Sequence, residues 1–334
     1  MSTVPILEAV DLGVHFRLGR GRLLRAVDGV SLVVRAGETF GVIGESGSGK
    51  TTLGRALVCL ERPAAGRVRH GGVDPFALTP RALRRHRRDY QVIFQDPNAA
   101  LDPRMSILRS VQEPLDVARE LPRAQREGRA LAMLERVGLG SEFADRYPHE
   151  LSGGQKQRVC IARALTLQPS VIVCDEAVAA LDVSIQADIL NLLAGLQREF
   201  GLTYLFITHN LGVVAHVSDR IAVMYLGRLV EQAETEALMA RPLHPYTEAL
   251  LSSEPVALPS HLRRQHRVVL QGELPSPVSP PSGCRFRTRC AYAAARCTAE
   301  EPAWREVRPG HWAACHFAGT LPEGARPHPV EVPA

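Results

Sequence analysis

A chain of 334 residues, 45% hydrophobic and 22% charged, has ordinary globular composition, which excludes a disordered or fibrous protein and allows one large domain or two smaller ones. Its formal net charge of +5 is a mild basic excess that suits nucleic acid or an anionic membrane surface without proving either. No window of about 18 apolar residues occurs, because the oiliest stretch, Val171-Ile172-Val173-Cys174, runs straight into Asp175 and Glu176, so a membrane-crossing chain is not expected.

Residues 1–8 lack the basic and apolar regions of a secretory signal, so the chain is expected to stay in the cytosol with reduced thiols. Short β-rich runs then alternate with helical stretches: 39–43 and 51–60, 171–174 and 183–200, 204–207 and 211–217. Strand, helix, strand in this rhythm predicts an α/β core with a parallel sheet. The basic run Arg81, Arg84, Arg85, His86, Arg87 and Arg88 has no interleaved aromatics and reads as the solvated face of a short helix rather than a nucleic-acid surface. Between about 96 and 165 the strand patterns stop, and helical ones such as 123–137 and 155–167 predict a helical subdomain. Residues 255–334 hold 12 of the 24 prolines, and the turn-rich linker 275–281 cannot continue a helix or a central strand. The expected division is therefore 1–255 and 256–334, the second part being a small irregular extension with four cysteines. No internal repeat is found, so the second half of anything symmetric must come from another chain.

Gly44-Glu45-Ser46-Gly47-Ser48-Gly49-Lys50-Thr51 fits G-x-x-x-x-G-K-[ST] and lies between a predicted strand and a predicted helix. The glycines let the backbone curl so that successive N–H groups and the helix N-terminus face a β-phosphate, where the helix dipole favours negative charge. Lys50 is expected to neutralise β- and γ-oxygens, and the Thr51 hydroxyl to ligate Mg²⁺. A glycine-rich turn with an accidental lysine is the bland alternative, and the flanking elements argue against it. The strand 171–174 ends in Asp175 and Glu176, at the carboxyl edge of the sheet where ligands of open α/β folds bind. Asp175 is assigned to the Mg²⁺ shell, and Glu176 beyond it to the attacking water as base or orienter. Alone, such a pair is more often a helix N-cap; the phosphate loop on the same sheet reverses that preference.

Leu151-Ser152-Gly153-Gly154-Gln155-Lys156-Gln157-Arg158 resembles the signature sequence of the ATP-binding-cassette (ABC) ATPases, and the family's other elements follow in order. The resemblance spans about 6–255 and implies an ABC-type P-loop domain that binds ATP and Mg²⁺ and hydrolyses the nucleotide. It places Phe16 on the adenine, Glu45, Ser46, Ser48 and Thr52 with the rest of the phosphate loop around the nucleotide, and Gln95 of the Q-loop beside Mg²⁺. It reads Ala180-Leu181-Asp182 as the D-loop and His209 as the switch histidine on the γ-phosphate. A lone histidine after a strand is usually packed or on the surface; the position of His209 one strand beyond Glu176 favours the functional reading. Ser152, Gly153 and Gly154 open a predicted helix and form an anion site the chain's own phosphate loop does not need, so they and Gln155 would serve a second subunit. In the family, two such domains face head to tail and enclose two ATP molecules.

The segments 94–104, 147–151, 174–178 and 180–186, with His244-Pro245-Tyr246-Thr247 and Pro280-Pro281-Ser282-Gly283-Cys284, look like the oligopeptide/dipeptide importer ATPases, and most like their F-type subunit. That implies a related D-type ATPase subunit or a second copy as dimer partner, two membrane permease subunits, an extracellular solute-binding protein acting indirectly, and a place on the cytoplasmic side of the membrane, with no nucleic acid. Related importers carry dipeptides, longer peptides, nickel or glutathione, and the solute is not written in this chain. Ala177 stands where many cassettes have proline and Asn210 where aspartate often follows the histidine; neither replaces a reacting group. A soluble cassette acting on DNA or ribosomes is the first rival, disfavoured by the single cassette and short helical insertion. A regulatory or redox-sensing subunit is the second, opposed by intact Lys50, Asp175, Glu176 and His209.

Cys59, Cys160 and Cys174 fall in apolar helix or strand patterns and are expected in the core, whereas Cys284, Cys290, Cys297 and Cys315 form C-x5-C-x6-C-x17-C in the extension. Four thiols in a core-poor cytosolic segment suggest a metal staple rather than disulfides, with a [4Fe–4S] cluster, zinc and free thiols all left open. Zinc ribbons usually use C-x2-C pairs, which are absent here. The resemblance favours the cluster, since importer ATPases carry this pattern in the same extension.

Overall fold

The computed structural model describes residues 4–179, 181–253, 270 and 272–320. Two strands come first, β1 (Pro5–Arg17) and β2 (Leu23–Arg35), paired antiparallel. In β1 the buried side chains are Leu7 and Ala9, then Leu12 and Val14: the parity changes across a register shift between Ala9 and Leu12, where Asp11 takes φ 48°. One extra residue returns the apolar side chains to the same face, as a bulge does. β3 (Thr39–Ile43) is buried at all five positions and is followed by the phosphate loop and α1 (Lys50–Leu57). β4 (Ala65–His70) then joins β1 to complete a three-stranded antiparallel sheet, order β2-β1-β4.

After α2 (Pro80–His86), which buries no residue, comes β5 (Tyr90–Ile93). From there to β6 (Val171–Asp175) the elements are helical: α3 (Pro97–Ala100), α4 (Ile107–Ala118), α5 (Arg123–Arg136), α6 (Gly153–Leu165) and short 3-10 turns. Then follow α7 (Val183–Phe200), β7 (Thr203–Thr208), α8 (Leu211–Val217), β8 (Arg220–Tyr225), β9 (Arg228–Glu234), α9 (Thr235–Ala240) and α10 (Pro245–Ser253). The extension supplies α11 (Ala295–Ala299), β10 (Arg305–Arg308) and β11 (His311–Ala313).

The large sheet runs β10-β11-β9-β8-β3-β7-β6-β5, with β3 parallel to both β7 and β8, and β6 parallel to β5 and β7. Strands covered on both faces read as continuous apolar runs, and β3, β6 and β7 do. α1 lies close on this sheet because Gly54 has no side chain: a Cβ there would sit 2.4 Å from Ile207 Cδ1. One core fills the space between the two sheets and α1, and a second joins α4, α5, α6 and α7 to the far edge of the large sheet.

The extension is irregular over most of its length, but its hairpin extends the large sheet through Trp312 opposite Gln232 and Ala313 opposite Glu231. Glu231 is fully buried there and accepts from Leu243 N (2.7 Å) and His244 N (2.9 Å), with His311 Nε2 at 2.7 Å. A buried carboxylate is tolerable only when its oxygens are partnered, and this one ties three separate segments together.

Candidate ATP site

The phosphate loop hangs between the buried β3 and α1 because its glycines permit what other residues would not. Gly49 has φ 104°, and a Cβ there would stand 2.0 Å from the carbonyl oxygen of Ala26 on β2. Ser46 and Gly47 are exposed at the tip, Ser48 is buried, and its carbonyl accepts from Gly227 N at 2.8 Å. Lys50 is 5% exposed and curls back to donate to the carbonyls of Gly44 (2.7 Å) and Glu45 (2.9 Å). Burial lowers its ammonium pKa, against the opposing charges of Glu176, Asp175 and Glu45. Thr52 is half-buried on the first turn of α1.

Thr51 Oγ1 donates to Asp175 Oδ1 at 2.9 Å, joining residues 124 positions apart. Two hard oxygen donors beside a phosphate loop are the donor set magnesium takes. Burial, the largest influence, raises the Asp175 carboxyl above its ordinary value, against the hydrogen bond from Thr51 and the charges of Arg55 and Lys50. Glu176 follows in the left-handed region at φ 50°, its N–H held by Ile207 O at 2.8 Å, a strained setting of the kind found at functional sites. That twist brings Glu176 Oε1 within 3.2 Å of His209 Nδ1. Asn210, where aspartate often follows the histidine in the family, caps α8 by accepting from Val213 N at 3.0 Å, a task either residue performs.

Residues 27–179 match the family described as ABC transporter, and 230–297 match the oligopeptide/dipeptide transporter C-terminal region. The oligopeptide transport ATP-binding protein AppF of Bacillus subtilis (strain 168) is 48% identical over 319 residues, covering 93% of this chain and 97% of AppF. This chain belongs to the oligopeptide/dipeptide ABC transporter ATPases. Among solved structures, the dimeric ATP-binding cassette MJ0796 in a post-hydrolysis state bound to ADP and Pi superposes with a TM-score of 0.63 at 31% identity, covering 69% of this chain and 98% of that one. CbiO1 of Clostridium perfringens, part of the transporter complex cbiONQ, gives 0.63 at 29% identity, covering 71% and 91%.

In this ABC ATPase the signature opens α6. Ser152 caps α6, accepting from Gln155 N at 3.3 Å while Gln155 Oε1 accepts from Ser152 N at 2.9 Å. Gly154 lets α6 approach α7, since a Cβ would lie 2.7 Å from Ile185 Cγ2. Ser152, Gly153 and Asp182 are exposed, and Val183 beside Asp182 is 83% exposed. Ala180 of the expected D-loop lies outside the described residues. Gln95 is exposed just past the carboxyl end of β5, on the same sheet edge as Asp175. Phe16 is half-buried opposite Leu24, two residues from the Ala26 carbonyl that presses on the phosphate loop.

Cys59, Cys160 and Cys174 are buried, as expected. The iron–sulfur expectation is not supported. Burial raises the Cys290 thiol to about 12 and the Cys315 thiol to about 11. Among the described residues no group of three or more His, Cys, Asp or Glu is arranged to hold a metal ion.

The sequence reading missed the residues that reach the phosphate loop from behind. Arg289 of the extension forks onto Glu45, Nη1 to Oε2 at 2.6 Å and Nη2 to Oε1 at 2.9 Å. Tyr246 of the His244-Pro245-Tyr246-Thr247 motif accepts the Glu45 N–H at 2.8 Å. Arg285 donates to Leu226 O at 2.5 Å and pairs with Asp28. Burial alone would raise the Asp28 carboxyl, but Arg285, helped by Arg228 and Arg25, holds it below its ordinary value.

Proposed function

We propose that the chain powers peptide import: it binds MgATP on the cytoplasmic side of a membrane permease made of two subunits, and hydrolyses it in a head-to-tail dimer with a D-type ATPase subunit. The observation that carries this is a split site. Lys50 bonds the phosphate loop, Thr51 bonds Asp175 and Glu176 meets His209, while Ser152, Gly153 and Asp182 are exposed, which supports a pocket completed by a second subunit. The names of relatives such as AppF supply the solute class, oligopeptides. Among the described residues no helix is long and apolar enough to cross a membrane, so permeation is assigned to partner chains.

Lys50 would leave the loop carbonyls for the β- and γ-phosphates, and Phe16 would stack on the adenine. Thr51 and Asp175, with Gln95, would hold Mg²⁺, which offsets phosphate charge when bound. Glu176 accepts the hydrogen bond of the attacking water, and His209, oriented by Glu176, faces the γ-phosphate. A groove of about 370 Å³ between the end of β5 and α4, lined by Leu60, Phe94, Pro114 and Val117, is the proposed seat of a permease segment. Phe94 and Val117 are 39% and 67% exposed there. ATP then favours the closed dimer and hydrolysis the open one, which requires a difference in ATP affinity between the two states.

Glu176→Gln keeps the shape of the site and removes the base. Its kcat is expected to fall about 10²–10⁴-fold with MgATP binding retained. Purified from its native host in ATP, it should carry two permeases and a second cassette. Wild-type turnover would remove Glu176 from the mechanism, and ribosomal or DNA-bound partners in place of permeases would overturn the importer reading.

A further inference from the structure

A carboxylate inside a phosphate-binding loop opposes the ligand the loop is built for. Glu45 follows Gly44 at the start of that loop, partly exposed, with its backbone carbonyl bonded to Lys50 Nζ at 2.9 Å. Its charge is not free: Arg289, with a side chain 8% exposed, meets both carboxylate oxygens at 2.6 and 2.9 Å. The two residues are 244 positions apart, so the pair bridges the extension to the cassette. Its geometry is the forked, planar match that arginine alone makes with a carboxylate. Tyr246 holds the Glu45 N–H at 2.8 Å, and Tyr246, Tyr225 and Phe286 pack in one buried aromatic group of tilted and edge-on rings. Arg285, four residues before Arg289, fixes the neighbouring turn through Leu226 O, and Gly227 of that turn donates to Ser48 O. The extension therefore braces the outer side of the phosphate loop at two points.

We propose that Arg289 is a positioning residue of the ATP site, cancelling the charge of Glu45 and fixing its place, so that the C-terminal extension sets the affinity of this chain's phosphate loop for MgATP. The inference rests on the loop being the ATP site. Breaking a partly buried pair from one side leaves an uncompensated charge, and here that charge would sit beside a triphosphate. A purely structural strut makes a different demand: loss of either partner would cost stability alone.

The test uses the full-length protein and MgATP. Arg289→Ala is expected to raise the KM and the dissociation constant for MgATP about tenfold with kcat changed less than about twofold, a pattern of lost ground-state binding. The penalty should be larger for ATP than for ADP and should shrink with added salt, because it is charge repulsion. The decisive variant is Glu45→Gln in the Arg289→Ala background, which removes the stranded charge and is expected to recover MgATP affinity to within about threefold of wild type. Arg289→Gln, similar in length and still a donor, takes the place of Arg289→Ala should that variant fail to fold. Affinity unchanged in the Arg289 variant, or an affinity loss that Glu45→Gln does not relieve, would overturn the proposal. Wild-type protein that binds no MgATP would overturn the ATP-site reading itself, an outcome separate from these.

Discussion

At the scale of single residues, the phosphate loop works by what is missing. Gly49 combines φ 104° with a space in which a Cβ would meet the Ala26 carbonyl at 2.0 Å, so even alanine is both strained and blocked. Gly49→Ala is therefore expected to cost about 1–3 kcal/mol of stability and to weaken MgATP binding at least about tenfold, since the loop's N–H groups can no longer converge. Thermal melting and nucleotide titration check the two effects; a variant equal to wild type in both would show that the loop tolerates a side chain there. Lys50, Thr51, Asp175 and Glu176 stood out in the sequence because motif and flanking strand occur together there. The pairing of Thr51 with Asp175 and of Glu176 with His209 follows from parallel strands β3, β6 and β7 ending at one edge. Arg289 was not legible, because an arginine in a proline-rich segment carries no periodic signal and its partner lies 244 residues away.

At the scale of elements, β3, α7 and α8 coincide with the runs read from the sequence, whereas α1 starts one residue earlier and ends three residues earlier than expected. These elements are regular, apolar on the proper face and bounded by clear turns. α6 starts at Gly153 rather than 155 because the Ser152–Gln155 capping box sets its N-terminus. The strands β1 and β2 were missed: the bulge near Asp11 breaks alternation, and neither strand has one unbroken period of two. The far end of that sheet carries a pH-sensitive joint. His70 on β4 has Nε2 at 2.6 Å from Leu57 O at the end of α1, and Nδ1 at 2.8 Å from His86 Nε2 on α2. Burial, far more than any charge, lowers its pKa from the ordinary 6.5 to about 4. The folded state thus binds fewer protons than the unfolded one between those values. Its contribution to stability is complete above about pH 6.5 and is lost as pH falls to about 4. Melting temperature should drop across that window, and His70→Gln should flatten the drop; parallel curves for the two proteins would exclude His70 as its source.

At the scale of the whole molecule, the proposed site has two parts: the phosphate loop with Asp175, Glu176 and His209, and the exposed Ser152, Gly153 and Asp182, proposed to serve a partner's nucleotide. The sequence pointed to the second part as an anion site the chain's own phosphate loop does not need and through the lack of an internal repeat. What no local pattern showed is that the extension does more than trail behind the cassette. Its hairpin lengthens the large sheet, Glu231 locks it to the segment before α10, and its arginines reach the phosphate loop. The most direct measurement is uptake of a labelled oligopeptide into vesicles holding the assembled permease, both ATPase subunits and the solute-binding protein. Uptake should require MgATP and fall to background when this chain carries Glu176→Gln; uptake that proceeds without ATP, or at the wild-type rate with that variant, would contradict an import cycle driven by hydrolysis in this chain.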